Sequence, residues 1–530
     1  MFNVAAEQRI SLNKWKIKEE PGRFSIILTL IAGLLGLAVV LAATTTPVAA
    51  EVSAPLLVTV GAALLVITWR KWETGIQALL VVLIIEGAVR KWFLPSASEL
   101  VYFYKDILMV AIVISYLRKG RRIPLLVKRE LKVFSVIVIA FALYVVASIS
   151  NPGLPHPLVG ALGVKAYLLY VPLAYLGPRI FTSNEKLVAF LKWYVLIALF
   201  VGALSAMQFV NSDPDSALNR YAWDEKTTSA TGMEMPVANF QDSVGSSYVR
   251  VTGSFSYLSG LAIYLPTMFA LLLGLISQRS IRSLPKSFRW IYHLALGIVV
   301  TTSFMTGSRG AVLNLAVIAL VFYGLASKRD LFRRLRQAAV GAVLIGLGLT
   351  TFFPQAFDAL YTRALGGEDE MTEGRGRIDE VFHLPFDEAG YAGAFGYGVG
   401  ATQNATPVMM SKLNLPFVGE RIPIAYEAES GRVMLELGVC GYALHLLLRI
   451  SILVTLLYAC FSIQDVESKS LAVAALAALL FPLMIGGAVT QHTQNVYQWF
   501  LVGIPLAMLS AERMAQPNRV SPSGVISTKS

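Results

Sequence analysis

The sequence is dominated by apolar runs that are each long enough to cross a lipid bilayer. A membrane-spanning helix needs about 20 mostly apolar residues, because the hydrocarbon core of a bilayer is about 30 Å thick. We count fourteen such runs. They lie at about 24–43, 53–69, 74–92, 101–117, 131–149, 158–178, 188–210, 252–277, 290–306, 310–326, 337–354, 431–462, 470–488 and 496–511. The pattern predicts an all-α, polytopic integral membrane protein with about 14 transmembrane helices.

The composition excludes the common soluble classes. Charged residues make up 15% of the chain and hydrophobic residues 55%, whereas soluble domains carry about 25% charged residues. The 2 cysteines are too few for a disulfide framework or a zinc site. The sequence also has no phosphate-binding loop and no dinucleotide fingerprint, so we predict neither a metal nor a cofactor. The net charge of +12 is typical of basic cytoplasmic loops, and we predict no nucleic-acid partner.

Basic residues in short connections predict the orientation in the membrane. They occur in the N-terminal segment 1–23 and in the connections that follow predicted spans 2, 4, 8 and 10. The connections that follow spans 1 and 5, TTTPVAAE and SNPGLPHP, contain neither Lys nor Arg. Because Lys and Arg are retained on the cytoplasmic side, we predict that both termini are cytoplasmic. The tail 512–530 is predicted to be disordered.

Two connections are too long to be simple turns, and both are predicted to be extracytoplasmic. Residues 211–251 join spans 7 and 8, and residues 355–430 form a large loop between spans 11 and 12. The large loop is acidic and contains aromatic and apolar residues, so we predict a partly helical cap. It separates spans 1–11, in 24–354, from spans 12–14, in 431–511. The run at 431–462 is long for one span and predicts either a tilted or a broken helix.

Several arginines break the positive-inside pattern by lying on the predicted extracytoplasmic side. They are Arg250, Arg309, Arg363, Arg375 and Arg377. The planar guanidinium group binds phosphate through two parallel hydrogen bonds, and glycine-rich helix starts add backbone N–H donors. These arginines therefore predict a site for an anion. The alternative is that they pair with carboxylates of the loop or reach lipid headgroups.

A second group of charged residues lies within predicted spans 3, 4 and 6. Ionisable side chains are costly inside a membrane and are often functional. Arg90, Lys105 and Lys165 are the candidate substrate-binding residues of this group. The alternative is mutual neutralisation, by Glu86 with Arg90 at i,i+4 and by Lys105 with Asp106. Lys165 has no candidate partner nearby in the sequence.

Histidines and carboxylates on the same side are candidate general bases. His383 lies in the large loop, and Glu427 and Glu429 lie at its end. A carboxylate whose pKa was raised by a membrane environment would accept a proton from a sugar hydroxyl. His156 and His492 are also predicted to be extracytoplasmic, but a lone histidine is more often structural.

Four segments together resemble the O-antigen ligase/polymerase superfamily. They are RVTGSFSYLSGLAIYL, TGSRGAVLNL, GRGRIDEVFHLPFDEAGYAGAFGYGVG and ESGRVMLELGVCG, in the family's order, over about residues 240–445. The resemblance implies that Arg250, Arg309 and Arg377 bind the diphosphate of the substrate and stabilise the leaving group. It also places Gly396, Gly398 and Gly400 in the family's G-x-G-x-G turn, as candidate substrate-binding residues. Many members have a His-Asn pair where this chain has Glu427-Ala428, with Glu429 close by. Either a carboxylate replaces the imidazole as the base, or the base lies elsewhere, with His383 as the candidate.

The resemblance implies an inverting, metal-independent glycosyl transfer at the outer face of the bacterial cytoplasmic (inner) membrane. The donor would be a glycan on undecaprenyl diphosphate, as in exopolysaccharide, capsule or O-antigen biosynthesis. A polymerase would transfer it to a hydroxyl of another lipid-linked repeat unit, and a ligase to lipid A-core. We favour the polymerase, with membrane lipids and a chain-length regulator protein as further partners. The alternative class is a lipid-linked oligosaccharide flippase, which would show two similar halves and short loops.

Overall fold

The computed structural model describes residues 48–93, 98–120, 129–222, 238–241, 247–326, 379–403 and 428–515, with eight further positions between 351 and 414. The predicted span at 24–43 lies outside these residues, as do the span at 337–354 except for positions 351 and 354, the segment 1–23 and the tail beyond Ala515.

The described chain is a bundle of apolar helices. The described residues are about 80% helical, and ten of their helices are long and apolar enough to cross a membrane. This confirms the predicted all-α, polytopic membrane class. In chain order the helices are α1 (Val48–Arg70), α2 (Trp72–Ala88, extended by a π turn at Val89–Phe93), α3 (Ser98–Arg118), α4 (Arg129–Ala147), α5 (Pro157–Leu168), α6 (Pro172–Ile180), α7 (Asn184–Tyr194), α8 (Ile197–Val210), α9 (Leu258–Ile276), α10 (Arg279–Arg282), α11 (Lys286–Met305), α12 (Arg309–Ala326), α13 (Leu384–Ala392), α14 (Glu429–Ser462), α15 (Val466–Ile485) and α16 (His492–Ala515).

Each of the twelve predicted spans within the described residues contains a helix. The span predicted at 158–178 is divided into α5 and α6, and that at 188–210 into α7 and α8, each by a short turn. The large loop contributes α13, in agreement with a partly helical loop. The segment 211–251 contributes a two-stranded antiparallel hairpin, β1 (Asn239–Gln241) and β2 (Ser247–Val249), which pairs Phe240 with Tyr248.

The start of predicted span 8 differs from the sequence prediction. The helix begins at Leu258, so Arg250 precedes it instead of opening it. Gly253 has a positive φ of 54°, which is incompatible with a continuous helix. The segment 250–257 instead packs against α2, where the Ser254 hydroxyl donates to the Ile84 carbonyl at 2.7 Å. A Cβ atom on Gly87 would overlap the backbone of this segment, so the missing side chain permits the contact.

Small residues allow the central helices to pack closely. The middle of α15 reads LAVAALAALL and is almost entirely buried. Gly177 of α6 faces Gly503 of α16 so closely that a Cβ on Gly177 would lie 2.9 Å from the Gly503 backbone. Close backbone approach through small residues is the common way in which helices associate within membranes.

The long helix α14 is broken at Gly438, which has φ 68° and ψ −175°. A break inside a membrane domain leaves backbone groups that need new partners. The loop at 393–398 supplies them: Tyr397 N–H donates to the Leu435 carbonyl at 2.8 Å and Gly398 N–H to the Glu436 carbonyl at 3.0 Å. In the other direction, Val439 N–H donates to the Gly393 carbonyl at 3.0 Å. Of the two predicted alternatives for 431–462, the structure therefore shows the broken helix.

The docking of this loop depends on Gly396, which has φ 67° and whose Cβ would lie 2.5 Å from the Glu436 carbonyl oxygen. We expect Gly396→Ala to lower the free energy of unfolding by about 1–3 kcal/mol, from backbone strain and overlap. The measurement is thermal unfolding of the purified protein in detergent. Gly390→Ala is the matched control, because Gly390 lies in α13 with open space around it. Equal melting temperatures for the two variants would contradict the docking.

Candidate functional site

Connections that are distant in the sequence meet at one end of the helix bundle. The guanidinium of Arg90, after α2, donates to the Ser256 hydroxyl at 3.0 Å. The Asn151 amide, after α4, donates to the Gly396 carbonyl of the large loop at 3.0 Å. The Ser259 hydroxyl, at the start of α9, donates to Gln491 in the turn before α16 at 2.9 Å. These contacts gather most of the sequence-predicted residues into one region, which we call the site end.

Buried ion pairs join α2, α3 and α5 at the site end. Lys105 Nζ lies 2.8 Å from Glu86 Oε2, and Lys165 Nζ lies 2.7 Å from Asp106 Oδ2. Arg90 lies 3.6 Å from Glu86 at i,i+4, as the sequence predicts. The suggested pairing of Lys105 with Asp106 is wrong. Lys105 pairs with Glu86 of α2, and Asp106 pairs with Lys165 of α5. Lys165, without a candidate partner in the local sequence, has Asp106 as its partner.

Tyr102 lies at the centre of this charged group. The Lys105 ammonium is 4.0 Å from the centre of its ring, the Lys165 ammonium 4.6 Å and the Arg90 guanidinium 5.2 Å. Cations at such distances are attracted by the electron-rich ring face. The Tyr102 hydroxyl forms a short hydrogen bond with Nε2 of His492, the first residue of α16. Three cations and one histidine therefore converge on a single tyrosine.

A pocket opens beside Tyr102 and His492. Its lining comes from α3, α5, the large loop and the turn before α16, and consists of Tyr102, Leu162, Lys165, Ala166, Gln403, Thr490 and His492. Hydroxyl, amide, ammonium and imidazole groups thus face one small space. This polar mixture suits a sugar hydroxyl better than an acyl chain.

Two basic residues that follow α2 hold the segment 250–256 in place. Lys91 is 1% exposed, and its ammonium donates to the Thr252 hydroxyl at 2.9 Å and to the Gly253 carbonyl at 2.8 Å. Gln208 of α8 accepts from Gly253 N–H at 2.7 Å on the other side. The segment that carries Arg250 is therefore fixed by buried polar contacts from two helices.

The side chain of Arg250 contacts the turn that precedes Arg309. Arg250 Nε donates to the Thr306 carbonyl at 3.2 Å, three residues before Arg309, which begins α12. The Tyr221 hydroxyl donates to the Arg250 carbonyl at 3.0 Å. Burial raises the pKa of Tyr221 to about 12, so this hydroxyl stays protonated near neutral pH. The structure thus brings together two of the three arginines that the resemblance singles out.

Glu429 is buried against the turn that precedes His492. Its Oε2 accepts from Val489 N–H at 2.5 Å and from Thr490 N–H at 3.3 Å. Its Oε1 lies 3.9 Å from His445 Nε2. These contacts fix the turn that presents Thr490 and His492 to the pocket.

Gly396, Gly398 and Gly400 pack against other parts of the backbone. Gly400 lies against Val159 and Gly163 of α5 so closely that a Cβ would overlap them, and Gly398 lies against Leu154. The buried Glu436 carboxylate fixes Thr402, two residues after Gly400, by accepting from its N–H at 3.1 Å and from its Oγ1 hydroxyl at 2.8 Å. The turn therefore positions Gln403 in the pocket. Contact of the glycines with substrate stays a prediction.

The remaining predicted residues lie elsewhere. His383 is 72% exposed and lies 3.5 Å from the equally exposed Asp379, outside the buried group. Four predicted residues lie outside the described residues: Arg363, Arg375, Arg377 and Glu427. Within the described ranges, no group of three His, Cys, Asp or Glu side chains is arranged to hold a metal ion.

Sequence reasoning did not assign a functional role to Tyr102, Lys91 or His492. The signal was present in part: His492 stands at the start of a predicted span on the predicted outer side. Nothing in the sequence links His492 to Tyr102, which is 390 residues away.

The site end is suited to bind an anion. Five basic side chains, Arg90, Lys91, Lys105, Lys165 and Arg250, lie around Tyr102 and the segment 250–256, where Lys105 and Lys165 pair with carboxylates and Lys91 donates to neutral oxygens. Fixed cations in a region of low dielectric stabilise charge that develops on a leaving phosphate. The chain matches no protein-family model and no curated protein.

The pair of Lys165 and Asp106 offers a test of this arrangement. We expect Lys165→Met to destabilise the fold by about 3–5 kcal/mol, because it leaves a buried carboxylate without its partner. Lys165→Met combined with Asp106→Asn is expected to recover much of that loss. The measurement is a double-mutant cycle of thermal unfolding in detergent. As a control, Arg279→Met removes a partner of Glu467 that is 84% exposed, with an expected change of under about 1 kcal/mol. Additive losses for Lys165 and Asp106 would contradict the pairing.

Proposed function

We propose that the protein is a glycosyltransferase that acts on undecaprenyl-diphosphate-linked glycans, as a polysaccharide polymerase. The observation that carries the proposal is the grouping of Arg90, Lys91, Lys105, Lys165 and Arg250 at the site end, beside a polar pocket that Lys165 lines. Basic side chains within a membrane domain are costly and are often functional. A lipid-linked diphosphate would supply an anion that such side chains bind.

The proposed reaction is a single displacement at the anomeric carbon. The acceptor hydroxyl oxygen forms the new bond to this carbon as the bond to the diphosphate oxygen breaks, and the electron pair leaves with undecaprenyl diphosphate. Arg250 and Arg309 stabilise the charge on the leaving group, as does Arg377 by the resemblance. The attack from the opposite face inverts the anomeric centre.

Glu429 has a positioning role in this proposal. Its Oε2 accepts from the Val489 and Thr490 amides, and Oε1 of Glu436 accepts from Thr402 and Gln403. Both carboxylates therefore orient the pocket lining.

The proposed orientation places the site end outside the cytoplasm. The opposite end of the bundle carries the exposed Arg70, Lys71, Lys119, Arg279 and Arg282, and contacts such as Ser115 to the Trp69 carbonyl at 3.0 Å join its connections. By the positive-inside rule this basic end faces the cytoplasm. The proposal completes the bundle with fourteen spans and cytoplasmic termini, in the inner membrane of a bacterium.

Thiol labelling tests the orientation. In a variant that lacks Cys440 and Cys460, we expect Asp215→Cys to react with a membrane-impermeant maleimide in intact cells. Lys119→Cys is expected to react only after permeabilisation, because it lies at the basic end. Both positions are exposed. The reverse pattern would place the site in the cytoplasm and overturn the orientation.

Transfer in a defined system tests the function. The purified protein is incubated in liposomes with undecaprenyl-diphosphate-linked repeat units from the bacterium that produces the protein, without nucleotide or added metal. We expect a ladder of longer glycans. Transfer only after lipid A-core is added would identify a ligase. Movement of substrate across the bilayer without any new glycosidic bond would identify a flippase and overturn the proposal.

In this assay we expect Arg250→Ala and Arg309→Ala to reduce the rate at least a hundredfold, because each removes a stabilising contact with the leaving group. Arg→Lys variants are expected to recover little, since lysine lacks the planar fork. Arg282→Ala, at the basic end, is the matched control and is expected to retain the wild-type rate. Wild-type rates in both alanine variants would exclude these arginines from the site.

A further inference from the structure

We propose that Tyr102 and His492 form a proton relay that deprotonates the acceptor hydroxyl. The inference rests on the proposed function and names the base that the reaction requires. Neither residue lies in the part of the sequence that carries the family resemblance.

Geometry places the two side chains in series at the pocket. Both line it, together with Lys165, Gln403 and Thr490. The Tyr102 hydroxyl is already hydrogen-bonded to Nε2 of His492. An acceptor hydroxyl in the pocket has the Tyr102 oxygen as an acceptor, with the imidazole directly behind it. This is the arrangement of a nucleophile, a relay and a terminal base.

The charges around Tyr102 act on both halves of the relay. The cations of Lys105, Lys165 and Arg90 lie against its ring and counter the partial negative charge that its oxygen carries as the proton leaves. Glu86 and Asp106 oppose that negative charge, and the same three cations oppose the positive charge on His492. Burial also opposes a free tyrosinate, so the two proton transfers occur together.

The step is balanced. The acceptor O–H proton moves to the Tyr102 oxygen as the Tyr102 proton moves to His492 Nε2. The acceptor oxygen bonds to the anomeric carbon, and the bond from that carbon to the diphosphate breaks. Tyr102 ends neutral and His492 ends as imidazolium, with the negative charge on the leaving diphosphate. The imidazolium returns its proton to water when the products leave.

Other candidate bases are less well placed. Both oxygens of Glu429 face protein groups, and Glu436 is 0% exposed. His383 is largely exposed and away from the pocket. Among the described histidines and carboxylates, His492 is the one that lines the pocket.

The experiment compares Tyr102→Phe, His492→Gln and the double variant in the transfer assay. We expect each single variant to lose about a hundredfold or more in transfer rate, and the double variant to lose no more than either, because the two groups act as one unit. Tyr104→Phe and His293→Gln are the matched controls. Tyr104 lies on the same helix as Tyr102 and donates to the Gly61 carbonyl of α1, and His293 is exposed on α11. Both variants are expected to keep the wild-type rate.

The pH dependence supplies a readout that a structural role would not move. The charged groups that face His492 are Lys165, Lys105 and Arg90, and none of them is changed. Burial and these three cations hold the pKa of His492 well below its ordinary value of 6.5. The wild-type rate is therefore expected to rise with pH only in the acid range, as the imidazole loses its proton, and His492→Gln is expected to lose this rise. In His492→Ala, added imidazole is expected to restore part of the rate, which a misfolded protein would not show.

Binding separates the relay from the function as a whole. Undecaprenyl diphosphate is expected to bind both variants as it binds the wild type, since neither residue holds the diphosphate. Wild-type transfer rates in Tyr102→Phe or His492→Gln, or losses that add in the double variant, would overturn the relay and leave the glycosyltransferase intact. Absence of any transfer by the wild type would instead overturn the proposed function.

Discussion

Charge pairing across helices is the constraint on which the site end depends. Lys105 with Glu86 and Lys165 with Asp106 are buried pairs that connect three helices, and an unpaired charge at any of these positions would be costly in the membrane. The pairs fix the relative positions of α2, α3 and α5, and the ring of Tyr102 lies among their cations. Elsewhere in the bundle a charged side chain has a neutral partner: Arg449 of α14 donates to the Leu483 carbonyl near the end of α15 at 2.7 Å.

A second constraint concerns the backbone. The break in α14 at Gly438 exposes peptide groups, and the loop at 393–398 binds them with hydrogen bonds from both sides of the break. This docking has a consequence for the pocket, because the residues that follow the loop include Gln403, which lines it. Within the described part of the chain, the large loop is thus attached to the bundle where the pocket forms, and one glycine break determines both the course of α14 and the lining of the pocket.

The sequence was sufficient for the features that depend on local composition. Long apolar runs predicted the helices. The break in the positive-inside pattern singled out Arg250 and Arg309, and in the structure the Arg250 side chain contacts the turn that precedes Arg309. Contacts that depend on how distant helices pack together could not be predicted from the sequence. Lys165 pairs with Asp106 on another helix. The apolar composition of 252–257 predicted a helix, whereas the positive φ of Gly253 and packing against α2 give a turn followed by bends. The contact between Tyr102 and His492 joins residues that are 390 positions apart, which no local pattern specifies.

The contacts also suggest how one site would serve two chemical tasks. Lys91 donates to neutral oxygens of the segment 250–256, and Arg250 donates to the Thr306 carbonyl, so these contacts connect both basic residues to the backbone on this side of the site. On the other side, Lys105 and Lys165 are already neutralised by carboxylates and act on the Tyr102 ring instead. Under the proposed function the diphosphate would bind beside Arg250, and the acceptor hydroxyl beside Tyr102. The segment 250–256 lies between these two positions and is held by Arg90 and Lys91. Under the proposed function, this one segment would position both the groups that stabilise the leaving group and the groups that remove the proton.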